Sequence, residues 1–441
     1  MNLTGQTIAV CGAGRSGLAA ARLACAQGAR VTLLDSGDSE KLASVRQQLP
    51  EAEMIFGPDA FSWKNDIAQL IVSPGIDLKS PLVAPWVAAD VPVIGEIEFA
   101  YRYWNKAIIA ITGTNGKTTT TELTTHLLEQ NGQPAVSGGN YGKPFAEIVM
   151  ESENWEVAVL ELSSFQLESI DQFRPDVSVW MNFAPDHMDR YTAIEDYRQA
   201  KLAIYQNQSA TDWAIINAAN GPDIDLIPQT LSFSAFEDGA DFGYTDGQLH
   251  FHGEPIADLS QTNLAGKHNA ENLMAAMAVG SIRELPFAGM RKAASDYRPP
   301  RHRCERVPSN NGFVILNDSK ATNVHALETS LRALDGKIIL IAGGKQKGLD
   351  YTSLKPWLRE KVAHFITLGE IRESLAALAE DHCPCTQTET LDAAVQAAFQ
   401  HVKPNQTILF SPGTSSFDMF NGYEQRGDVF CSLVTQHLAK P

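Results

Sequence analysis

The chain has no long apolar run, no Cys-x-x-Cys pair and no surplus of positive charge, and each absence removes a class of protein. No segment of its 441 residues offers the uninterrupted apolar span that a membrane helix needs. The opening Met1-Asn2-Leu3-Thr4-Gly5-Gln6 has neither the charged nor the apolar part of a secretory signal. Six cysteines lie scattered at 11, 25, 304, 383, 385 and 431, which predicts a reduced, cytoplasmic protein rather than a disulfide framework. His382-Cys383-Pro384-Cys385 is short of ligands and lacks a standard zinc spacing. With 35 basic against 52 acidic residues the net charge is −17, which argues against broad binding to nucleic acid or an anionic membrane. Short-period repeats, coiled-coil patterns and low-complexity tracts are missing too.

What is present is an ordinary globular composition, 44% hydrophobic and 20% charged, long enough for two to four domains. Strand and helix patterns alternate, and three regions emerge. Residues 1–94 open with the buried-strand run Thr7–Cys11, the turn Gly12-Ala13-Gly14-Arg15-Ser16-Gly17, a helix to about Gly28 and the strand Arg30–Leu34 ending in Asp35. Alternation continues to Leu70-Ile71-Val72-Ser73-Pro74-Gly75, which predicts a small doubly wound domain. Residues 95–299 carry strand candidates at Ile109–Thr112, Val157–Leu160, Val177–Trp180 and Ala214–Ile216. Residues 230–260 read as antiparallel strands decorating that sheet, and a helix follows from Asn269 to Gly280. Pro299-Pro300 marks a linker. Residues 300–441 alternate again, with strands at Phe313–Leu316, Ile338–Ile341, Phe365–Leu368 and Ile408–Phe410.

The most informative stretch runs from Ile109 to Thr120. An apolar strand feeds Gly113-Thr114-Asn115-Gly116-Lys117-Thr118-Thr119 and then a helix through Leu128. Small loop residues let backbone N–H groups face phosphate oxygens, and the helix N-terminus favours negative charge. Lys117 would reach the terminal phosphates and the Thr118 hydroxyl would sit on Mg²⁺. The common form of this loop has a further glycine where this chain has Ile111, so the strand and helix on either side carry the reading.

Glu161 ends an apolar strand one strand–helix unit beyond the loop, a fitting place for a Mg²⁺ carboxylate. Asp186, His187, Asp189 and Arg190 crowd one strand-end loop, a density that suits metal binding or catalysis. Lys201 by itself reads as an ordinary helix lysine. Asn269 and Asn272 share one helix face and suit either adenine or capping. Arg301-His302-Arg303 and Asn317-Asp318-Ser319-Lys320-Ala321-Thr322-Asn323 flank the third region's entry. The Gly12 to Gly17 turn with Asp35 matches a dinucleotide fingerprint, yet its physics serves any nucleotide diphosphate, a UDP-sugar included.

Taken in order, Gly113 to Thr119, Glu161 to Ser164, His187, His268 to Asn272, His302-Arg303 and Asp318 to Asn323 resemble the Mur ligases of peptidoglycan synthesis over essentially the whole chain. Ser73 to Gly75, Gly138 to Asn140, Asp186 to Tyr191, Ser411 to Gly413, Ser415 to Asp418 and Glu424 to Gly427 resemble the branch that adds D-glutamate to UDP-N-acetylmuramoyl-L-alanine. The resemblance implies a three-domain α/β fold: a Rossmann-like UDP-binding domain, a central P-loop ATPase-type domain and a Rossmann-like C-terminal domain. It implies that Arg15, Ser16, Asp35, Ser36, Ser73, Gly75 and Asn140 bind the UDP substrate. Gly113, Thr114, Asn115, Gly116, Lys117, Thr118, Thr119, Asn269, Asn272, Arg303 and Asp318 would bind ATP. Thr118, Glu161, His187 and Lys201 would serve two Mg²⁺ ions, Lys201 as a carbamate. Lys117, His187 and Lys201 would be catalytic, and Lys320, Thr322, Lys347, Ser416, Phe417 and Tyr423 would hold D-glutamate. A monomer acting on small molecules, with neither nucleic acid nor membrane as partner, is the implied state. Two departures fall near the amino-acid pocket: Lys345 and Gln346 stand where an acid is expected nearby, and Tyr423 stands where Phe is common.

Rival readings are a folylpolyglutamate-synthase-like ligase, which the N-terminal domain argues against, and an NAD-dependent oxidoreductase, which leaves the phosphate loop unexplained. A nucleotide-gated sensor of UDP-sugar would bind ATP without substrate-dependent turnover.

Overall fold

The structure is a computed structural model that describes residues 2–37, 43–186, 190–298, 301–309 and 312–439. Three sheets carry the chain. The first contains β1 (Thr7–Cys11), β2 (Arg30–Asp35), β3 (Glu53–Phe56), β4 (Gln69–Val72) and β5 (Val93–Gly95), in the order β3-β2-β1-β4-β5. Every pairing in it is parallel. The order reverses between β1 and β4, and ligands of such sheets bind beyond the carboxyl ends of the strands at that point. Here those ends lead into Gly12 and Ser73.

The second sheet contains β6 (Ala107–Thr112), β7 (Ala135–Gly139), β8 (Val157–Glu161), β9 (Val177–Trp180), β10 (Trp213–Asn217), β11 (Gln229–Ser234), β12 (Phe242–Thr245), β13 (Gln248–Phe251) and β14 (Glu254–Asp258). Their order is β14-β13-β12-β11-β10-β9-β6-β8-β7. β6 lies between β8 and β9 and runs parallel to both. The loops leaving β6, β8 and β9 therefore emerge side by side. The expectation of antiparallel decoration over 230–260 needs correction at β11, which pairs parallel with both β10 and β12; β12, β13 and β14 are neighbours joined by two-residue turns. Pairing direction follows from the tertiary partner, and alternation along one strand does not encode it. Asp246-Gly247 and His252-Gly253 have positive φ, the conformation that two-residue hairpin turns require.

The third sheet contains β15 (Glu305–Val307), β16 (Val314–Asn317), β17 (Ile338–Gly343), β18 (Val362–Leu368), β19 (Cys385–Gln387) and β20 (Thr407–Phe410), ordered β15-β16-β20-β17-β18-β19. β15 is an antiparallel edge; the remaining pairings are parallel. Strands such as Ile338–Gly343 are buried along their whole length, as expected where helices cover both faces of a parallel sheet. Pro299-Pro300, read as a linker, lies outside the described residues. Among those described, no helix is long and apolar enough to cross a membrane, and all six cysteines are free thiols.

The chain packs as two compact units. The first comprises Met1–Gly243, His250–Ile256 and Asn272–Ala294; the second comprises Tyr244–Leu249, Ala257–Glu271 and Ser295–Pro441. Within the first unit one hydrophobic cluster runs from Val10, Leu23 and Leu33 through Ile97 and Phe99 to Phe145, Leu160 and Trp180. The first two sheets thus share a core. Two buried acids reinforce the join. Glu98 accepts the backbone N–H groups of Asp171, Gln172 and Phe173 at 2.9, 3.0 and 2.9 Å, and Arg102 Nε at 3.1 Å. Glu96 Oε1 accepts Ala146 N–H at 2.6 Å, while its buried Oε2 has no protein partner.

Burial pushes the Glu96 carboxyl up to about 7 against the pull of the Ala146 and Phe145 N–H groups, from an ordinary value of 4.5. A carboxyl raised in this way favours the folded state while it is protonated. Its contribution is complete below the unfolded value and is lost as pH climbs to the folded one. Glu96→Gln keeps an acceptor for Ala146 and cannot ionise. It should match the wild type near pH 5 and exceed it at pH 8 by on the order of 3 kcal/mol, at about 1.4 kcal/mol per pKa unit. Urea unfolding at the two pH values checks this; the same pH dependence in both proteins would rule it out.

Candidate active site

At the end of β6 the chain turns through Gly113 at φ 145° and Gly116 at φ 84° before the helix Lys117–Gln130. A Cβ on Gly113 would lie 2.8 Å from Met181 Cβ, and one on Gly116 would lie 2.5 Å from Asn272 Oδ1, so both positions need glycine for space as well as for φ. Asn182, from the segment after β9, clamps the loop. Its Oδ1 accepts the N–H groups of Asn115 and Thr114 at 2.8 and 3.2 Å, and its Nδ2 donates to Asn115 O at 3.1 Å. Thr114 Oγ1 donates to Ala184 O at 3.1 Å and accepts Ala184 N–H at 3.0 Å. No side chain caps the helix at Gly116, and the first N–H groups of any helix lack intrahelical partners. This is a ready cradle for phosphate.

The charged groups converge around it. Lys117 Nζ donates to Gly113 O and Thr114 O, each at 2.9 Å. Thr118 Oγ1 donates to Glu161 Oε2 at 2.6 Å, and Asn140 Nδ2 donates to Glu161 Oε1 at 2.7 Å. Glu161 sits at the end of β8, and the short helix Ser164–Leu167 follows it, beginning in a capping box between Ser163 and Gln166. Lys201, on the helix Ile194–Leu202, is 1% exposed and donates to Gly113 O at 2.9 Å. Burial, and then the Lys117 charge, hold its ammonium well below the usual lysine range, against the pull of Asp186 and Glu161. Taken alone its sequence context reads as an ordinary helix lysine; the fold brings it to the phosphate loop.

The residues fit a nucleotide with Mg²⁺. A buried hydroxyl and a carboxylate 2.6 Å apart form a hard-oxygen pair of the kind that Mg²⁺ takes alongside phosphate and water. Among the described residues no cluster of three His, Cys, Asp or Glu side chains gathers as a metal cage, and Mg²⁺ does not demand one. His187 lies outside the described residues.

In the N-terminal crevice Ser73 Oγ donates to Gly12 O at 3.4 Å. Asp35 accepts Ala13 N–H through Oδ2 and Gly37 N–H through Oδ1, both at 2.7 Å, so its carboxylate ties the turn after β1 to the turn after β2. Arg15 and Ser16 open the helix Arg15–Ala26, Ser36 follows β2 and Gly75 is exposed. Asn140, expected with this group, follows β7 and donates to Glu161 Oε1.

Asn272 belongs to the first unit, where its Oδ1 accepts from Thr120 Oγ1 at 3.2 Å. Asn269, Arg303 and Asp318 belong to the second. There Asn269 donates to Ala265 O at 2.9 Å. Asp318 is buried, accepts the Ser330 and Ser411 hydroxyls at 2.7 and 2.8 Å, and is pushed up to about 6 by burial. Lys320 Nζ lies 3.8 Å from the Tyr423 ring centroid. Ser416 is buried, Thr322 half-buried, and Lys347 and Phe417 exposed. Near the departure at Lys345 and Gln346, Glu370 accepts Lys345 Nζ at 2.8 Å and Gln346 N–H at 3.0 Å.

Two residues had no assigned role in the sequence. Asn182 carries no signal beyond its place at a strand end. Arg426, in the Glu424 to Gly427 stretch, is a buried hub whose guanidinium reaches Ser319 Oγ at 3.1 Å, Ser319 O at 2.8 Å and Thr414 O at 3.1 Å.

Three family models match in chain order: the Mur ligase MurD-like N-terminal domain at residues 6–95, the Mur ligase middle domain at 111–280 and the Mur ligase glutamate ligase domain at 302–413. The chain is 40% identical to the UDP-N-acetylmuramoylalanine–D-glutamate ligase of Syntrophotalea carbinolica, over 98% of both chains. It is 38% identical to the enzyme of that name from Geotalea uraniireducens, again over 98% of both. Among solved structures, the UDP-N-acetylmuramate–alanine ligase of Thermotoga maritima superposes with a TM-score of 0.57 at 18% identity, over 98% of this chain and 100% of that one. The MurF ligase of the same organism, solved with ADP, gives 0.60 at 14% over 93% and 95%. The structural likenesses speak for the fold, and the sequence matches run end to end: the chain belongs to the Mur ligase family.

Proposed function

We propose that the chain joins D-glutamate to UDP-N-acetylmuramoyl-L-alanine at the expense of ATP, a cytoplasmic step of peptidoglycan precursor synthesis. The observation that carries this is the phosphate loop, with Lys117 and Thr118 beside Glu161, in a chain whose full-length relatives bear that enzyme's name. The substrate's alanyl carboxylate attacks the ATP γ-phosphorus in line. ADP leaves and an acyl phosphate remains. The glutamate amine then attacks the acyl carbon, and phosphate departs with loss of the amine proton. Catalysis of this kind is positioning and electrostatics.

We assign the roles from the resemblance, with the contacts around the phosphate loop in support. The loop from Gly113 to Thr119 holds the β- and γ-phosphates, and Lys117 swings from its loop carbonyls onto them. Thr118 and Glu161 would hold one Mg²⁺ ion, with His187 and Lys201 serving a second; when bound, the ions offset charge on the transferring phosphoryl oxygens. Lys201 is suited to carbamylation because burial beside Lys117 favours its neutral amine, the form that adds to CO₂ with loss of a proton. Asn269, Asn272, Arg303 and Asp318 contact ATP. Arg15, Ser16, Asp35, Ser36, Ser73, Gly75 and Asn140 serve the UDP substrate. Lys320, Thr322, Lys347, Ser416, Phe417 and Tyr423 receive D-glutamate. Domains at 1–94, 95–299 and 300–441 divide this labour in a monomer that needs neither membrane nor nucleic acid.

Phosphate release with ATP, Mg²⁺ and UDP-N-acetylmuramoyl-L-alanine should require D-glutamate, with L-glutamate at background and the ligated product visible by mass spectrometry. Silence with folded protein that binds ATP would sink the substrate assignment. Lys117→Ala should lower turnover by about 1,000-fold or more while calorimetry finds UDP-substrate affinity nearly unchanged; equal loss of both would refute the division between the two sites. Lys201→Ala should be about 100-fold or more impaired and partly rescued by a small carboxylic acid supplied in solution. Full activity without rescue would remove the carbamate from the mechanism.

A further inference from the structure

One cluster within the first unit lies outside the roles assigned so far. Arg190 NH1 donates to Pro74 O at 3.1 Å, its NH2 donates to Glu168 Oε2 at 2.9 Å, and its guanidinium carbon stands 4.0 Å from the Phe165 ring centroid. Glu168 Oε1 accepts the Tyr191 hydroxyl, and the Tyr191 ring stacks on Phe165 with centroids 5.8 Å apart. The Arg190 and Glu168 side chains are 16% and 22% exposed, so the pair is well shielded from solvent.

The cluster joins three segments that leave strand ends at the candidate site. Pro74 lies in the turn after β4, between Ser73 and Gly75. Phe165 and Glu168 follow β8, a few residues after Glu161. Arg190 and Tyr191 follow β9. A planar guanidinium can meet a carbonyl and a carboxylate through its edges while its face covers a ring; an ammonium cannot do all three. The fit is specific to arginine and spans the first two sheets.

We propose that Arg190 is a positioning residue that fixes the Ser73–Gly75 turn relative to the segment carrying Glu161, and so sets where the reacting end of the UDP substrate lies against the phosphate loop. This rests on the function proposed above. The latch constrains the UDP-substrate crevice and leaves the phosphate loop to its own clamp, Asn182.

The test has two arms. In the ligand-free protein, Arg190→Ala should speed amide hydrogen exchange at residues 73–76 and 164–168 and leave 113–120 unchanged. Unchanged exchange at 73–76 would overturn the latch whatever the substrate proves to be. In the kinetic arm, Arg190→Ala should lose about 100-fold in kcat/KM for the UDP substrate while ATP affinity by calorimetry stays within about twofold. Added guanidinium ion should restore part of the loss, and Arg190→Lys should recover less than that, because it keeps only the Glu168 pair. Parallel loss of ATP affinity, or full recovery by lysine, would overturn the positioning role. A wild-type protein silent with these substrates would refute the proposed function, and the exchange result would then decide the latch by itself.

Discussion

A 2.6 Å hydrogen bond from Thr118 to Glu161 joins the first turn of one helix to the end of a neighbouring strand, and the candidate site is arranged around it. It requires β6 and β8 to lie side by side, which the strand order provides. It requires the loop between β6 and its helix to be tight, which Gly113 and Gly116 allow. It also requires the carboxylate to be held from its other side, which Asn140 does from the end of β7. Three consecutive strands in space thus present one hydroxyl, one amide and one carboxylate at a single point. The strand order of the sheet sets this geometry.

The same economy governs the join between the first two sheets. A shared apolar cluster would tolerate small rotations, because hydrophobic contact has no direction. Hydrogen bonds to buried carboxylates do. Glu98 gathers three successive backbone N–H groups, and Arg190 grips the Pro74 carbonyl. The apolar core supplies stabilisation, while these polar contacts select one orientation. Such contacts are costly to leave incomplete in a low-dielectric interior, which is how they penalise other arrangements.

The strands of the parallel sheets were readable because burial on both faces leaves apolar runs, as in Ile338–Gly343 and Val177–Trp180. Short or small-residue strands were not: Ala135–Gly139 and Cys385–Gln387 have too few large side chains to announce themselves, and the direction of Gln229–Ser234 depended on partners outside it. The phosphate loop was legible because its chemistry is local. Lys201 by contrast reads as an ordinary helix lysine, since what removes its solvent lies 88 residues away at Gly113. Asn182, Arg426 and Glu370 share that fate. Each acts across the fold on another segment's backbone, and only tertiary structure reveals such reach. Glu370 reaches Lys345 from 25 residues further along.

The pairing of Lys117 with Lys201 has a physical consequence of its own. Both donate to the carbonyl oxygen of Gly113, and two ammonium ions on one buried acceptor repel each other strongly. The system relieves this at the residue with less access to water. Lys117 is partly buried and keeps Thr114 O as a second acceptor, whereas Lys201 is enclosed beside the Tyr197 ring. Burial therefore drives Lys201 toward its neutral form. One fold feature, a helix lysine placed against a loop carbonyl, thus shifts the ionisation of an amine whose intrinsic chemistry is that of any lysine.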